Sequence, residues 1–225
     1  MIRKLKAFLL ENRDPGQTIA KNTIWLFIGQ SVSRLLRAGI VIYAARVLTV
    51  GSWGAFSYAL GIATFLTVFS DMGLNALITK TASRDAELRN RYVATAFGIK
   101  LCLIILLSLG TLFIFPRVTH IAEAAALMPI FLFLFAFDTV RDIGSAIARS
   151  MEKMQIEAGV HIFTNAAIVL CGLATLIFIP GSRSLAVSYA VGSGLGMLLL
   201  IHTFREEFAH MRRRFDRSLI RSIIT

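Results

Sequence analysis

The chain has 225 residues, 56% of them hydrophobic and only 16% charged, with a mean hydropathy of +0.70. Soluble domains carry about 25% charged residues, so this is the composition of a membrane protein. The net charge of +11 does not point to nucleic acid, because the basic residues fall between apolar runs, where such charge sets membrane topology.

Residues 1–16 read as a cytoplasmic amphipathic segment. Ile2, Leu5, Phe8 and Leu9 form an apolar stripe among bases, and Asp14-Pro15-Gly16 is expected to stop it. Met1 to Arg13 lacks the apolar run of about 7–15 residues that a cleavable signal needs, so the first span is expected to act as the insertion signal.

A span needs roughly 20 mostly apolar residues. Six stretches qualify: Asn22–Leu48, Trp53–Met72, Tyr92–Phe115, Ala124–Arg149, Gly159–Ile179 and Leu185–Phe204. Pro116 and Pro180-Gly181 are expected to end the third and fifth. Residues 17–204 therefore read as one all-α lobe, and residues 205–225 as a basic cytoplasmic tail or the start of a second lobe.

The longest loop, Gly73–Arg91, leaves no room for a nucleotide-binding domain or an extramembrane active site. Gly192-Ser193-Gly194-Leu195-Gly196 has no strand before it, so it is no dinucleotide fingerprint. Its Gly192 and Gly196 form a GxxxG suited to close helix packing. Cys102 and Cys171 sit in apolar runs and read as small buried hydrophobes. The four histidines lack ligand spacing, and no metal, cofactor or catalytic group is implied.

Basic residues give the direction. Arg3, Lys4, Lys6, Arg13 and Lys21 precede the first span; Lys80, Arg84, Arg89 and Arg91 follow the second; Arg149 and Lys153 follow the fourth; Arg205, Arg212, Arg213, Arg214, Arg217 and Arg221 follow the sixth. The opposite side has only Arg46, Arg117 and Arg183. Both termini are expected in the cytoplasm.

Charges inside spans are the informative ones. A charge at bilayer depth costs roughly 2.5–3.5 kcal/mol on insertion scales. The first span places Gln30, Ser33, Arg34 and Arg37 on one helical face. Arg34 lies about 18 Å along the helix from Asn22, too deep to snorkel easily. Either the pair lines a polar cavity for an anion, phosphate by the guanidinium fork, or it is ion-paired to acids of another helix. On the fourth span Asp138, Arg141 and Asp142 share a face. Arg141 can pair with Asp138, which leaves Asp142 for Arg34 or Arg37, or for a proton or sodium ion. Asp71 reads as a helix-end carboxylate facing water or as a gating partner of the basic loop. Lys100, two turns into the third span, is expected to snorkel. His161, Thr164 and Asn165 form a polar stripe on the fifth span, either glue between helices or part of a cavity wall.

Lys21-Asn22-Thr23-Ile24-Trp25 opens the first span and Ala45-Arg46-Val47-Leu48 closes it. Trp53-Gly54-Ala55-Phe56-Ser57-Tyr58 and Ser70-Asp71-Met72-Gly73-Leu74 follow. This order resembles the start of the polysaccharide-biosynthesis, Wzx-type flippases, best over residues 21–84. Those read Arg-x-Leu-Gly, a short Pro/Glu turn, Gly-x-Tyr, then Asp-x-Gly-Leu. Here Thr49 stands for the usual Gly and Val50-Gly51-Ser52 for the acidic turn, departures expected in an external loop.

The resemblance implies one six-helix lobe of the MATE-like fold of the multidrug/oligosaccharidyl-lipid/polysaccharide exporter superfamily. It implies a multi-pass protein of the bacterial cytoplasmic membrane that translocates polyprenyl-diphosphate-linked oligosaccharide by alternating access. It assigns the diphosphate to Arg34 and Arg37. Gln30, Asp71, Asp138, Arg141, Asp142 and Asn165 stand as candidates for cavity lining, counter-ions or coupling. Partners are then the lipid-linked glycan, membrane lipids, and a missing C-terminal lobe or a second copy. A cation-coupled multidrug exporter of the same superfamily would want unpaired acids where this chain has arginines. A membrane phosphotransferase would need two more aspartates after Asp142-Ile143-Gly144, and only Asp216 follows Met151.

Overall fold

In a computed structural model, residues 15–82 and 86–211 are described. Every regular element among them is an α-helix, and six helices are long and apolar enough to cross a membrane, as the sequence requires. The initial amphipathic segment lies outside the described residues.

Helix α1 spans Pro15–Val47. Pro15 and Gly16 stand in its first turn: proline's fixed φ suits that position, where its missing N–H has no partner to lose. Lys21, counted above among surface charges, is buried within α1. Helix α2 spans Val50–Asp71. Thr49 is its N-cap, accepting from the Ser52 N–H at 3.3 Å, so the expected external loop is only a two-residue turn.

Met72 (φ 41°) and Gly73 (φ 83°) then adopt left-handed backbone, natural for a helix terminus. The chain turns at once into α3, Leu74–Ala82, whose Asn75 N–H is capped by Asp71 Oδ1 at 3.2 Å. The predicted loop 73–91 is therefore largely helical. It buries Leu74 and Ile78, an i, i+4 pair that gives this short segment an apolar face.

Helix α4, Ala86–Val118, runs through Pro116. A proline costs a helix one hydrogen bond and crowds the preceding turn, and here the helix continues only two residues past it. Helix α5 spans Ala122–Ser150 and α6 Met154–Phe178. Between them Glu152 (φ 55°) lets the Glu152 and Lys153 N–H groups return to the carbonyls of Arg149 and Ala148 at 3.0 and 2.9 Å, a Schellman closure. Pro180-Gly181 separates α6 from α7, Ser182–Thr203, and α8, Arg205–Met211, follows.

The packing order is α1 on α6, α6 on α7, α7 on α5 and α5 on α2, with α3 and α4 against α5. The GxxxG sits at the α6–α7 seam. A Cβ on Gly192 would come within 2.5 Å of Ile168, and one on Gly196 would strike Thr164, so the seam closes only on glycine. Cys171 is half-buried but Cys102 is exposed, and both are free thiols. Cys102 points away from the bundle because α4 is a peripheral helix.

Two apolar clusters fill the bundle. One, at the end where α1 finishes and α2 begins, is built around Phe56, Phe131, Phe135 and Tyr189. The other, at the opposite end, joins Leu74, Ile78, Ile143, Ile147, Val160 and Leu200. The polar residues of α1, α5 and α6 lie between and beside them.

Candidate functional site

Two adjoining cavities open among α1, α5 and α6. The inner chamber, about 200 Å³, is lined by Gln30, Ser33, Arg34, Arg37, Asp138, Arg141, His161 and Asn165. The face read from α1's periodicity thus looks into a cavity, and it meets α5 and the polar stripe of α6. The outer chamber, about 600 Å³, lies toward the end where α1 and α6 begin. Its lining includes Asp71, Asn75, Lys80, Asp142, Ser145, Arg149 and Glu157. Gln30 and His161 belong to both chambers and form the neck between them. Beside that neck α1 and α6 nearly touch: a Cβ on Gly29 would stand 2.7 Å from the Ala158 Cβ.

The ion pairs decide which charges are available. Arg141 Nη1 lies 2.8 Å from Asp138 Oδ1, the i, i+3 pair expected, and Arg141 Nη2 lies 3.9 Å from Asp142 Oδ1. Asp138 also accepts from the Ser193 hydroxyl of α7. Asp142 is therefore engaged by the arginine beside it on α5. It does not reach Arg34 or Arg37, which occupy the deeper chamber while Asp142 faces the outer one. Neither Arg34 nor Arg37 forms a salt bridge among the described residues.

Arg37 is nevertheless held. Its Nε donates to Asn165 Oδ1 at 3.1 Å, and Asn165 Nδ2 donates to the His161 carbonyl at 2.8 Å. The second bond orients the amide so that its oxygen faces the guanidinium. The buried Tyr189 ring lies under the same group, with Cζ 5.8 Å from the ring centroid, a favourable placement for a cation. With Nε and one face occupied, the Nη edge remains for a ligand, the edge that recognises phosphate bidentately. Arg34 is looser: its Nη2 approaches Gln30 Oε1 at 3.5 Å. Of the α6 stripe, His161 and Asn165 line the chamber. Thr164 turns into the seam and donates to the Val160 carbonyl.

At the edge of the outer chamber, Lys100 is not at an interface. It is 1% exposed, and its Nζ lies 2.9 Å from Asp71 Oδ1 and 3.0 Å from Asn75 Oδ1. An ammonium caged by a carboxylate and an amide has no reason to extend to water. Asp71 thus ties α2, α3 and α4 together and sets α3 as a chamber wall. Arg149, read above as topogenic, pairs with the buried Glu157 at 3.3 Å, and His161 Nε2 lies 3.9 Å from the same carboxylate.

A model of the polysaccharide biosynthesis protein family matches residues 19–225. The chain belongs to that family. No curated protein and no solved structure matches it. As a six-span member of the polysaccharide biosynthesis family, it is a multi-pass membrane protein with a transport role of the flippase or exporter type.

Sequence reasoning passed over Glu157, Asn75, Ser145 and Tyr189. Glu157 carried one legible signal, an acid within the first turn of an apolar helix. Tyr189 and Ser145 carried none, because their roles depend on which helices pack beside them.

Proposed function

We propose that this chain forms the MATE-like N-terminal lobe of a flippase that moves polyprenyl-diphosphate-linked oligosaccharide across the bacterial cytoplasmic membrane by alternating access, with both termini in the cytoplasm. The observation that carries the reading is the inner chamber. Arg34 and Arg37 stand at mid-depth in α1, without ion pairs among the described residues, while the acids nearest them are engaged by Arg141. Unpaired guanidinium groups are costly in that position, and a diphosphate is the ligand that offsets the cost best, through bidentate charge-assisted bonds. Three arginines against one aspartate in that chamber also disfavour a cationic drug. The outer chamber, beside the ends of α2 and α5 and near the basic segments, serves as the cytoplasmic entrance under the distribution of positive charge.

The test is glycan export and binding of a lipid diphosphate by the Arg34→Ala, Arg37→Ala double variant. Loss of two charge-assisted pairs, each worth about 1.5–3 kcal/mol, is expected to cut binding by at least about a hundredfold while the protein still inserts. Normal export by that variant would remove the arginines from the mechanism. Tight binding of a cationic dye, in place of lipid diphosphate, would favour the multidrug alternative.

A further inference from the structure

The inner chamber is lined by three guanidinium groups, Arg34, Arg37 and Arg141, and by one carboxylate, Asp138. The cations suit a diphosphate, whereas the carboxylate opposes one. The fold nevertheless holds that carboxylate in place from two sides. Arg141 Nη1, on its own helix, lies 2.8 Å from Asp138 Oδ1, and the Ser193 hydroxyl of α7 donates to the same oxygen. The Asp138 side chain keeps 22% of its surface exposed, so its charge acts on the chamber and is not sealed inside protein.

Neutralising Arg141 does not by itself call for Asp138. Asp142 lies 3.9 Å from Arg141 Nη2 and lines the other chamber, so Arg141 has a second acid. What Asp138 adds is a division among the arginines. Arg34 and Arg37 are hydrogen-bonded to neutral amides, those of Gln30 and Asn165, and keep their charge for a ligand. Arg141 has the Nη1 end of its fork committed to a carboxylate. In a low-dielectric chamber of about 200 Å³, each of these charges is felt by any anion that enters. A site on a transport path must bind strongly enough to load and weakly enough to release. Three free guanidinium groups around one diphosphate would favour loading alone.

We propose that Asp138 tunes this site for release: it withholds Arg141 from the diphosphate and repels the ligand's negative charge, so that Arg34 and Arg37 alone hold the phosphates. This rests on the reading of Arg34 and Arg37 as diphosphate ligands. Asp138 is on this account a positioning residue, acting through Arg141 and through its charge.

A double-mutant cycle on the full chain in nanodiscs tests it, with polyprenyl diphosphate as the probe and uncharged polyprenol as the control. Asp138→Asn should bind the diphosphate about tenfold more tightly, the scale of one charge-assisted hydrogen bond gained. The gain should appear as slower dissociation, and glycan export should fall with it. Arg141→Gln leaves the carboxylate unopposed and should weaken the diphosphate by about tenfold. The double variant, neutral in sum, should return to wild-type affinity. Polyprenol should bind all of them alike. A purely structural ion pair has no way to give tighter binding when broken. Unchanged or weaker diphosphate binding by Asp138→Asn would therefore overturn the proposal, as would an equal gain for polyprenol. If Asp138→Asn does not fold, the double variant decides: a tenfold loss there would show that Arg141 already serves the ligand, against the proposal. Wild-type diphosphate binding by the Arg34→Ala, Arg37→Ala variant would instead overturn the diphosphate reading.

Discussion

The two ends of the bundle are built from the same helices and differ in what they enclose. Where α1 ends and α2 and α5 begin, Phe56 is fully buried, with Phe131 and Tyr189 edge-on at 5.4 and 5.3 Å and Trp53 stacked at 5.6 Å. Toward the other end the same α1, α5 and α6 separate around two polar chambers. Tyr189 belongs to both: one of the rings around Phe56, it also lies under Arg37. The difference teaches that closure at one end comes from aromatic volume, while opening at the other comes from side chains that pair in small groups and leave space between. Stability and ligand recognition should therefore separate by location.

Phe56→Ala should have the largest effect. Removing a fully buried ring costs about 3–5 kcal/mol where the site cannot collapse, read as a lower unfolding midpoint in detergent. The folded fraction should bind lipid diphosphate as wild type does; a matching loss of affinity would break the separation of the two ends. Asn165→Asp should do the reverse. The new carboxylate ion-pairs with Arg37 and competes with an anionic ligand, but it loses the amide's donation to the His161 carbonyl. Affinity for lipid diphosphate should fall about tenfold, roughly 1.4 kcal/mol, with a change in unfolding midpoint smaller than that of Phe56→Ala. Unaltered affinity would mean that Asn165 does not position Arg37 for a ligand. Thr49→Ala should have the smallest effect, about 1 kcal/mol of stability for a lost N-cap, measured by the same thermal unfolding and with no change in binding. It sharpens the comparison by showing that the closed end depends on its rings more than on its turn.

Much of this architecture was legible along the chain, because the signals were local. Six apolar runs gave six helices. Periodicity put Gln30, Ser33, Arg34 and Arg37 on one face, and an i, i+3 spacing paired Arg141 with Asp138. Local rules misled where the helix boundary was subtler than its signal: Pro116 lies inside α4, and the supposed loop after Gly73 folds into α3. Lys100 was misjudged because the distance to an interface was legible and the presence of Asp71 and Asn75 beside it was not.

The sequence by itself determined a helical membrane protein with two arginines at bilayer depth, since hydropathy and spacing act over a single helix and need no neighbour. The tertiary structure alone decided which charges are engaged and which stand open. Asn165 is 128 residues from Arg37 and Lys100 is 29 from Asp71. Partners that far apart are chosen by helix packing, above all by the close seams at Gly29, Gly192 and Gly196, and in a low-dielectric interior the partner a charge receives determines whether it is structural or free to bind.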